Sequence, residues 1–188
     1  MRSTKKSIKK PKKINPASLI KIISIILILS SAIFLFFAFS STPSFKSDNP
    51  VLNHTVLYAD NIFFTYEVNK YPTSVEISDI IERNLSIGFS LEPSTLNFGV
   101  VPTGGNMGKR FLTLKNTQDN KVKMQFIAYG NISPMIKFSD NDFYLMPDEV
   151  KQIDIMLETG QNTPAGDYFG EIDLIVKRPK YDLLKWFS

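Results

Sequence analysis

The sequence predicts an all-β protein: an antiparallel sandwich of about seven strands, preceded by one transmembrane α-helix. Three observations carry this reading. The run from Leu19 to Phe39 is almost purely Ile, Leu, Phe, Ala and Ser, with Lys21 its single charge. From Asn84 onward, short segments with apolar residues at every second position recur between Gly-, Pro- and Asn-containing breaks. That region shows no helical period.

Residues 1–17 form a basic cytoplasmic tail, expected to be disordered from its composition. Arg2, Lys5, Lys6, Lys9, Lys10, Lys12 and Lys13 precede the apolar run, and the first acidic residue is Asp48. The positive-inside rule keeps this tail in the cytoplasm and places the remainder extracytoplasmically, at the cell surface. The same lysines suit anionic lipid headgroups. The helix is expected over residues 18–40, with the lipid bilayer as partner from Leu19 to Phe39. At about 1.5 Å per residue the run spans roughly 31 Å, the thickness of a hydrocarbon core. Each of its 15 Ile, Leu and Phe residues favours insertion by roughly 0.3–0.6 kcal/mol, which outweighs Lys21 near its end. A cleaved secretory segment has only about 7–15 apolar residues. Ala38-Phe39-Ser40 is a tolerable cleavage site, yet the length favours a retained single-pass signal-anchor.

The net charge of +4 misleads. With the tail and Lys21 set aside, 14 basic residues remain against 18 acidic ones, so the rest of the chain is about −4. The basic excess is juxtamembrane and predicts no nucleic-acid partner. The absence of cysteine excludes disulfides, thiolate metal sites and cysteine catalysis.

Residues 41–83 read as an extracytoplasmic linker or stalk. Residues 40–50, SSTPSFKSDNP, are polar and punctuated by proline. Val56-Leu57-Tyr58 and the stretch from Ile62 to Val68 then suit a hairpin added to the main domain. Asn69-Lys70-Tyr71-Pro72 reads as a turn. Ser78 to Arg83 fits a helical turn or the start of a strand. The sandwich is expected over 84–178. Its strand faces are Ile87, Phe89 and Leu91; Leu96, Phe98 and Val100; Leu112 and Leu114; Val122, Met124, Phe126 and Ala128; Phe143 and Leu145; Ile153, Ile155 and Leu157; and Tyr168, Gly170, Ile172, Leu174 and Val176. Residues 179–188 close the chain as an amphipathic tail.

Residues 96–116, LNFGVVPTGGNMGKRFLTLKN, resemble the opening of the immunoglobulin-like domains typified by major sperm protein and the ASPM/SPD-2/Hydin type. Leu96, Phe98-Gly99, Gly104, Leu112, Leu114 and Asn116 carry the likeness. Further on, Leu145 to Glu149 around Pro147, and Gly166 to Ile172 with Tyr168 and Gly170, resemble the back half of prokaryotic surface immunoglobulin-like domains. The likeness covers about residues 87–178. It implies a fold and structural positions, and no activity. Gly99 and Gly104-Gly105 permit backbone angles closed to other residues. Tyr168 is expected to bury its ring and bond a nearby backbone group through its hydroxyl.

Few residues in the sequence carry chemistry. His54 is the only histidine, and its linker position predicts a solvated ring; no Ser-His-Asp set can be assembled. Asp140-Asn141-Asp142 with Asp148-Glu149 offers oxygen ligands but no calcium-loop spacing, so a solvated acidic loop is expected. The segment from Gly104 to Lys109 lacks phosphate-loop spacing and reads as a hairpin turn. Three N-x-[ST] sequons, at Asn53, Asn84 and Asn131, are candidate glycosylation sites. With 12 asparagines beyond the helix and 29 Ser and Thr residues in the chain, chance alone supplies about two. The tail places Tyr181, Leu184, Trp186 and Phe187 beside lysines, a candidate interface with a membrane or partner groove.

The expectation is therefore a non-catalytic, membrane-anchored module with no cofactor, metal or small-molecule substrate. It would make protein-protein contacts as a structural or accessory subunit of a cell-surface assembly. Two alternatives stand beside it. A cell-wall or surface-glycan binding module needs exposed aromatics, for which Phe63, Phe64 and Tyr66 are the candidates. A chaperone-like assembly factor needs an unpaired apolar sheet edge.

Overall fold

The computed structural model describes residues 16–40, 43–79 and 94–181. The chain forms two compact units, Met1–Pro43 and Ser44–Ser188. In the first, α1 (Pro16–Ser40) starts on a proline, whose fixed φ suits a first helical turn. Leu19–Phe37 is the one stretch among the described residues that is long and apolar enough to cross a membrane. Ser30 and Ser31 donate their hydroxyls to the carbonyls of Leu27 and Ile28, at 3.0 and 2.8 Å. Neither hydroxyl is then left bare among apolar neighbours.

Among its described residues the second unit is β-rich, with about nine strands where the alternation pattern gives about seven. They are β1 (Thr55–Asp60), β2 (Phe64–Ser78), β3 (Leu96–Pro102), β4 (Met107–Lys115), β5 (Val122–Gly130), β6 (Ile136–Phe138), β7 (Phe143–Leu145), β8 (Val150–Glu158) and β9 (Gly166–Pro179). One sheet runs β1-β2-β9-β5-β7, and β3 also joins β2; the other runs β4-β8-β6. The two pack as a sandwich-like pair. Between them lies the core, with Val75, Ile77, Phe98, Phe126, Leu145, Ile153, Ile155, Leu157, Ile172 and Leu174 among its buried residues. Six of the seven expected strands are β3, β4, β5, β7, β8 and β9; the other three observed are the hairpin strands β1 and β2 and the three-residue β6, too short to show alternation.

That hairpin is more than an addition to the domain. β2 is 15 residues long and pairs with β9 from Phe64 to Ile77. It therefore lies inside the larger sheet. Strand alternation sends Phe64, Tyr66, Val68 and Lys70 to one face and Thr73, Val75 and Ile77 to the other. All seven are buried, so the strand buries its outer face first and its inner face afterwards. The turn expected at residues 69–72 is absent because β2 runs straight through it. Pro72 is tolerated for a local reason. β1 ends opposite Lys70, and β3 begins opposite Thr73. The amide hydrogen that proline lacks falls in the gap between them. β3 also runs parallel to β2, against the antiparallel expectation. The intervening stretch, residues 79–95, is long enough for a parallel crossover.

The strand expected at Ile87, Phe89 and Leu91 lies outside the described residues, as does the alternative of a helical turn or strand over residues 80–83.

Candidate functional site

The sheet's outer face is crossed by residues 44–54. The Phe45 ring packs against Tyr66, with centroids 5.8 Å apart. Beneath this segment lies a buried ion cluster. β2 carries Lys70, opposite Asp173 on β9, and Glu171 sits two residues away on the same face. The three side chains are 1%, 0% and 1% exposed, respectively. Lys70 Nζ donates to Glu171 Oε1 at 2.9 Å, to Asp173 Oδ2 at 2.8 Å and to the Phe45 carbonyl at 2.6 Å. Glu171 also accepts the backbone N–H groups of Ser47 at 3.2 Å and Val51 at 3.1 Å. The cluster thus fastens residues 44–54 to the sheet at three backbone positions.

Its electrostatics fit a fastening better than a catalyst. Burial disfavours the Lys70 ammonium, but the hydrogen bonds to Asp173 and Glu171 outweigh it and hold its pKa above the usual value. Such a lysine stays charged and is no nucleophile. Burial pushes Glu171 upward, yet the hydrogen bonds from Lys70, Val51 and Ser47 bring it below its ordinary value. Asp173 has Lys70 but no backbone donor, and its Oδ1 has no partner. Burial therefore pushes it up to about 6.

The second feature is an open sheet edge. β1 pairs only with β2 among the described residues. Val56, Leu57 and Tyr58 are all exposed, Tyr58 at 72%, and Leu52 and Ile62 flank them. The other edges are shorter or guarded. β6 and β7 have three residues each, β4 carries Lys109, Arg110 and Lys115, and β3, paired among the described residues only with β2, ends on Pro102 and has its Asn97 carbonyl taken by Arg110 Nε at 2.7 Å. The outer face of the smaller sheet also exposes Met107, Phe111 and Val150, interspersed with charge, including the Lys109–Asp154 pair at 2.7 Å.

The residues singled out by sequence are dispersed. Phe64 and Tyr66, two of the three aromatics a glycan platform requires, are 1% and 0% exposed; only the half-buried Phe63 remains. His54 is half-buried rather than solvated, its ring tilted by 33° against that of Tyr71 with centroids 4.7 Å apart. The acidic loop is paired off: Asp140 with Lys151, Asp142 with Lys123 and Asp148 with Lys115. The Lys151 hydrogen bond holds the Asp140 carboxyl below its usual range. Among the described residues, no group of three or more side chains could hold a metal ion. Asn141 extends the sheet by exchanging hydrogen bonds with the Phe126 backbone at 2.7 and 2.9 Å. Asn53 and Asn131 are exposed, with Asn131 Oδ1 accepting from the Phe169 amide at 2.7 Å. Asn84, Leu184, Trp186 and Phe187 lie outside the described residues, and Tyr181 is exposed.

The motif residues perform structural tasks. Asn116 is 2% exposed. It donates to the Asn120 and Leu145 carbonyls at 2.8 and 3.0 Å and accepts from the Gln118 amide at 3.0 Å. It thereby ties the β4–β5 turn to the end of β7. Pro147 opens a turn completed by Asp148 at φ 59° and closed by the Glu149 amide on the Met146 carbonyl. The Tyr168 hydroxyl donates to the Pro164 carbonyl at 3.0 Å. Phe98 lies in the core, and Gly99 takes φ 71°.

Sequence reasoning missed the ion cluster. Glu171 and Asp173 alternate with Ile172 and Leu174, which reads as a solvated face. The available signal was Phe64, Tyr66 and Val68 preceding Lys70 on that same face. Apolar residues on both faces of a strand mean that both are covered.

No protein family, no curated protein and no solved structure matches this chain.

Proposed function

We propose that this chain is a membrane-anchored, extracytoplasmic immunoglobulin-like module that acts through protein-protein contact and is not an enzyme. One observation carries the reading: β1 is a six-residue edge strand whose central Val56, Leu57 and Tyr58 are apolar and exposed. An exposed apolar strand edge is a template for another strand. The basic tail before α1 supports the orientation, and the motifs around Phe98, Asn116, Pro147 and Tyr168 support the immunoglobulin-like type. The buried Phe64 and Tyr66 weigh against the glycan-binding alternative. The open edge also suits an assembly factor that caps another protein's strands, and the lifetime of the complex separates this from a permanent subunit.

The test is crosslinking in intact cells followed by purification in mild detergent, comparing the native chain with Tyr58→Lys and Phe111→Lys. A stoichiometric partner should accompany the native chain and Phe111→Lys, and be lost with Tyr58→Lys. Recovery of the native chain as an uncrosslinked monomer, joined neither to another protein nor to a second copy, overturns the reading.

A further inference from the structure

The occupant of the β1 edge can be argued from its backbone geometry. The Asn61 amide donates to the Phe64 carbonyl at 2.9 Å and closes the β1–β2 hairpin. Residues 61 and 64 therefore form a hydrogen-bonded pair. Such pairs alternate along an antiparallel ladder, and the register pairs Ala59 with Tyr66, Leu57 with Val68 and Thr55 with Lys70. The backbone groups of Thr55, Leu57 and Ala59 thus point at β2. Those of Val56, Tyr58 and Asp60 point away, to the free edge.

We propose that this edge is filled by β1 of a second copy of the chain, antiparallel, about a two-fold axis normal to the sheet. The inference rests on the protein-contact reading above and names its partner. A two-fold of this kind keeps faces matched, so the outward-pointing groups of Val56 meet those of Tyr58 twice. Leu57 then opposes Leu57 across the axis in a non-hydrogen-bonded pair, where side chains approach most closely. Thr55 opposes Ala59. Asp60, the one charge on the strand, is neutralised by Lys180 at 2.9 Å and opposes His54. No like charges meet, and apolar side chains match on both faces. β1 also lacks the devices that keep edges apart: it has no lysine, no proline and no bulge. An anchored chain shares a membrane plane with its copies, which raises their effective concentration.

The absence of cysteine makes the test direct. Two Cα atoms in a non-hydrogen-bonded pair lie about 4.5 Å apart, within the roughly 4.4–6.8 Å span of a disulfide. Mild oxidation of membranes carrying full-length Leu57→Cys should give a disulfide-linked species of twice the 21.3 kDa chain mass. Phe111→Cys, exposed on the other sheet, should stay monomeric. Leu57→Lys and Leu57→Glu should each abolish crosslinking of the native edge by an amine-independent reagent, and their co-expression should restore it. A monomeric Leu57→Cys, or no rescue by the opposite-charge pair, overturns self-pairing. If Leu57→Cys instead joins a protein of different mass, self-pairing fails and the contact reading stands. If β1 captures neither a copy nor another protein, both fail.

Discussion

At the scale of single residues, Lys70 is the group on which most depends. Among the described residues it is the one cation facing two carboxylates in a buried site, and it also holds the Phe45 carbonyl. Lys70→Met leaves Glu171 and Asp173 facing each other with no counter-charge. Removing one partner of a buried ion pair costs about 3–5 kcal/mol, which a thermal melt of the purified chain should register as a large fall in midpoint. Asp173 gives the cluster a pH signature. Its folded-state pKa, about 6 against 3.8, lies above the unfolded value, so the native state holds this proton more tightly. Its contribution to stability is fullest below pH 4 and is lost as pH rises to 6. Between pH 7.5 and 5 the native chain should gain about 1 kcal/mol relative to Asp173→Asn, read from urea midpoints. Glu171 is present in both proteins, and its folded value is lowered from 4.5, so the comparison isolates Asp173. A parallel pH response in the two proteins would remove Asp173 as the cause.

At the scale of elements, the tightest joint is between β5 and β9, where Gly130 faces Gly170. A Cβ on Gly170 would lie 2.0 Å from the Tyr129 carbonyl oxygen and 2.6 Å from Ile132 Cγ2. Gly170→Ala must push the strands apart and should cost about 3 kcal/mol. Gly99→Ala meets nothing within 4 Å and should cost only about 1–2 kcal/mol for its left-handed backbone. Equal losses in denaturant midpoint would mean that backbone conformation, and not strand contact, governs both sites. This level was also the most legible in sequence. Alternation at Val122, Met124, Phe126, Ile153, Ile155 and Leu157 located β5 and β8 without tertiary information. It failed where neighbours decide the outcome. Pro72 read as a turn because the gap between β1 and β3 cannot be seen along the chain. Lys70 reads as part of a turn, and Glu171 and Asp173 as the polar positions of an alternating strand, because their cover is supplied by residues 44–54, remote from Glu171 in sequence. An unpaired apolar edge is only what the assembly-factor alternative requires in sequence, and its location at β1 follows from the sheet order alone.

At the scale of the whole molecule, the proposed topology makes a simple demand. Protease added to intact cells should digest the β-rich unit and spare the basic tail with α1, leaving a fragment that an N-terminal epitope tag detects. Protection of the full chain would falsify the orientation. The unit Ser44–Ser188 begins with the segment that the ion cluster holds down. Any pull transmitted along the chain from its N-terminal side reaches the Phe45, Ser47 and Val51 bonds before it reaches β1. Those bonds are anchored in the middle of the larger sheet, on β2 and β9. The arrangement would work as a strain relief does on a cable: load is taken up in the body of the fold, and β1, the edge proposed to meet a partner, is spared the tug of the proposed membrane tether.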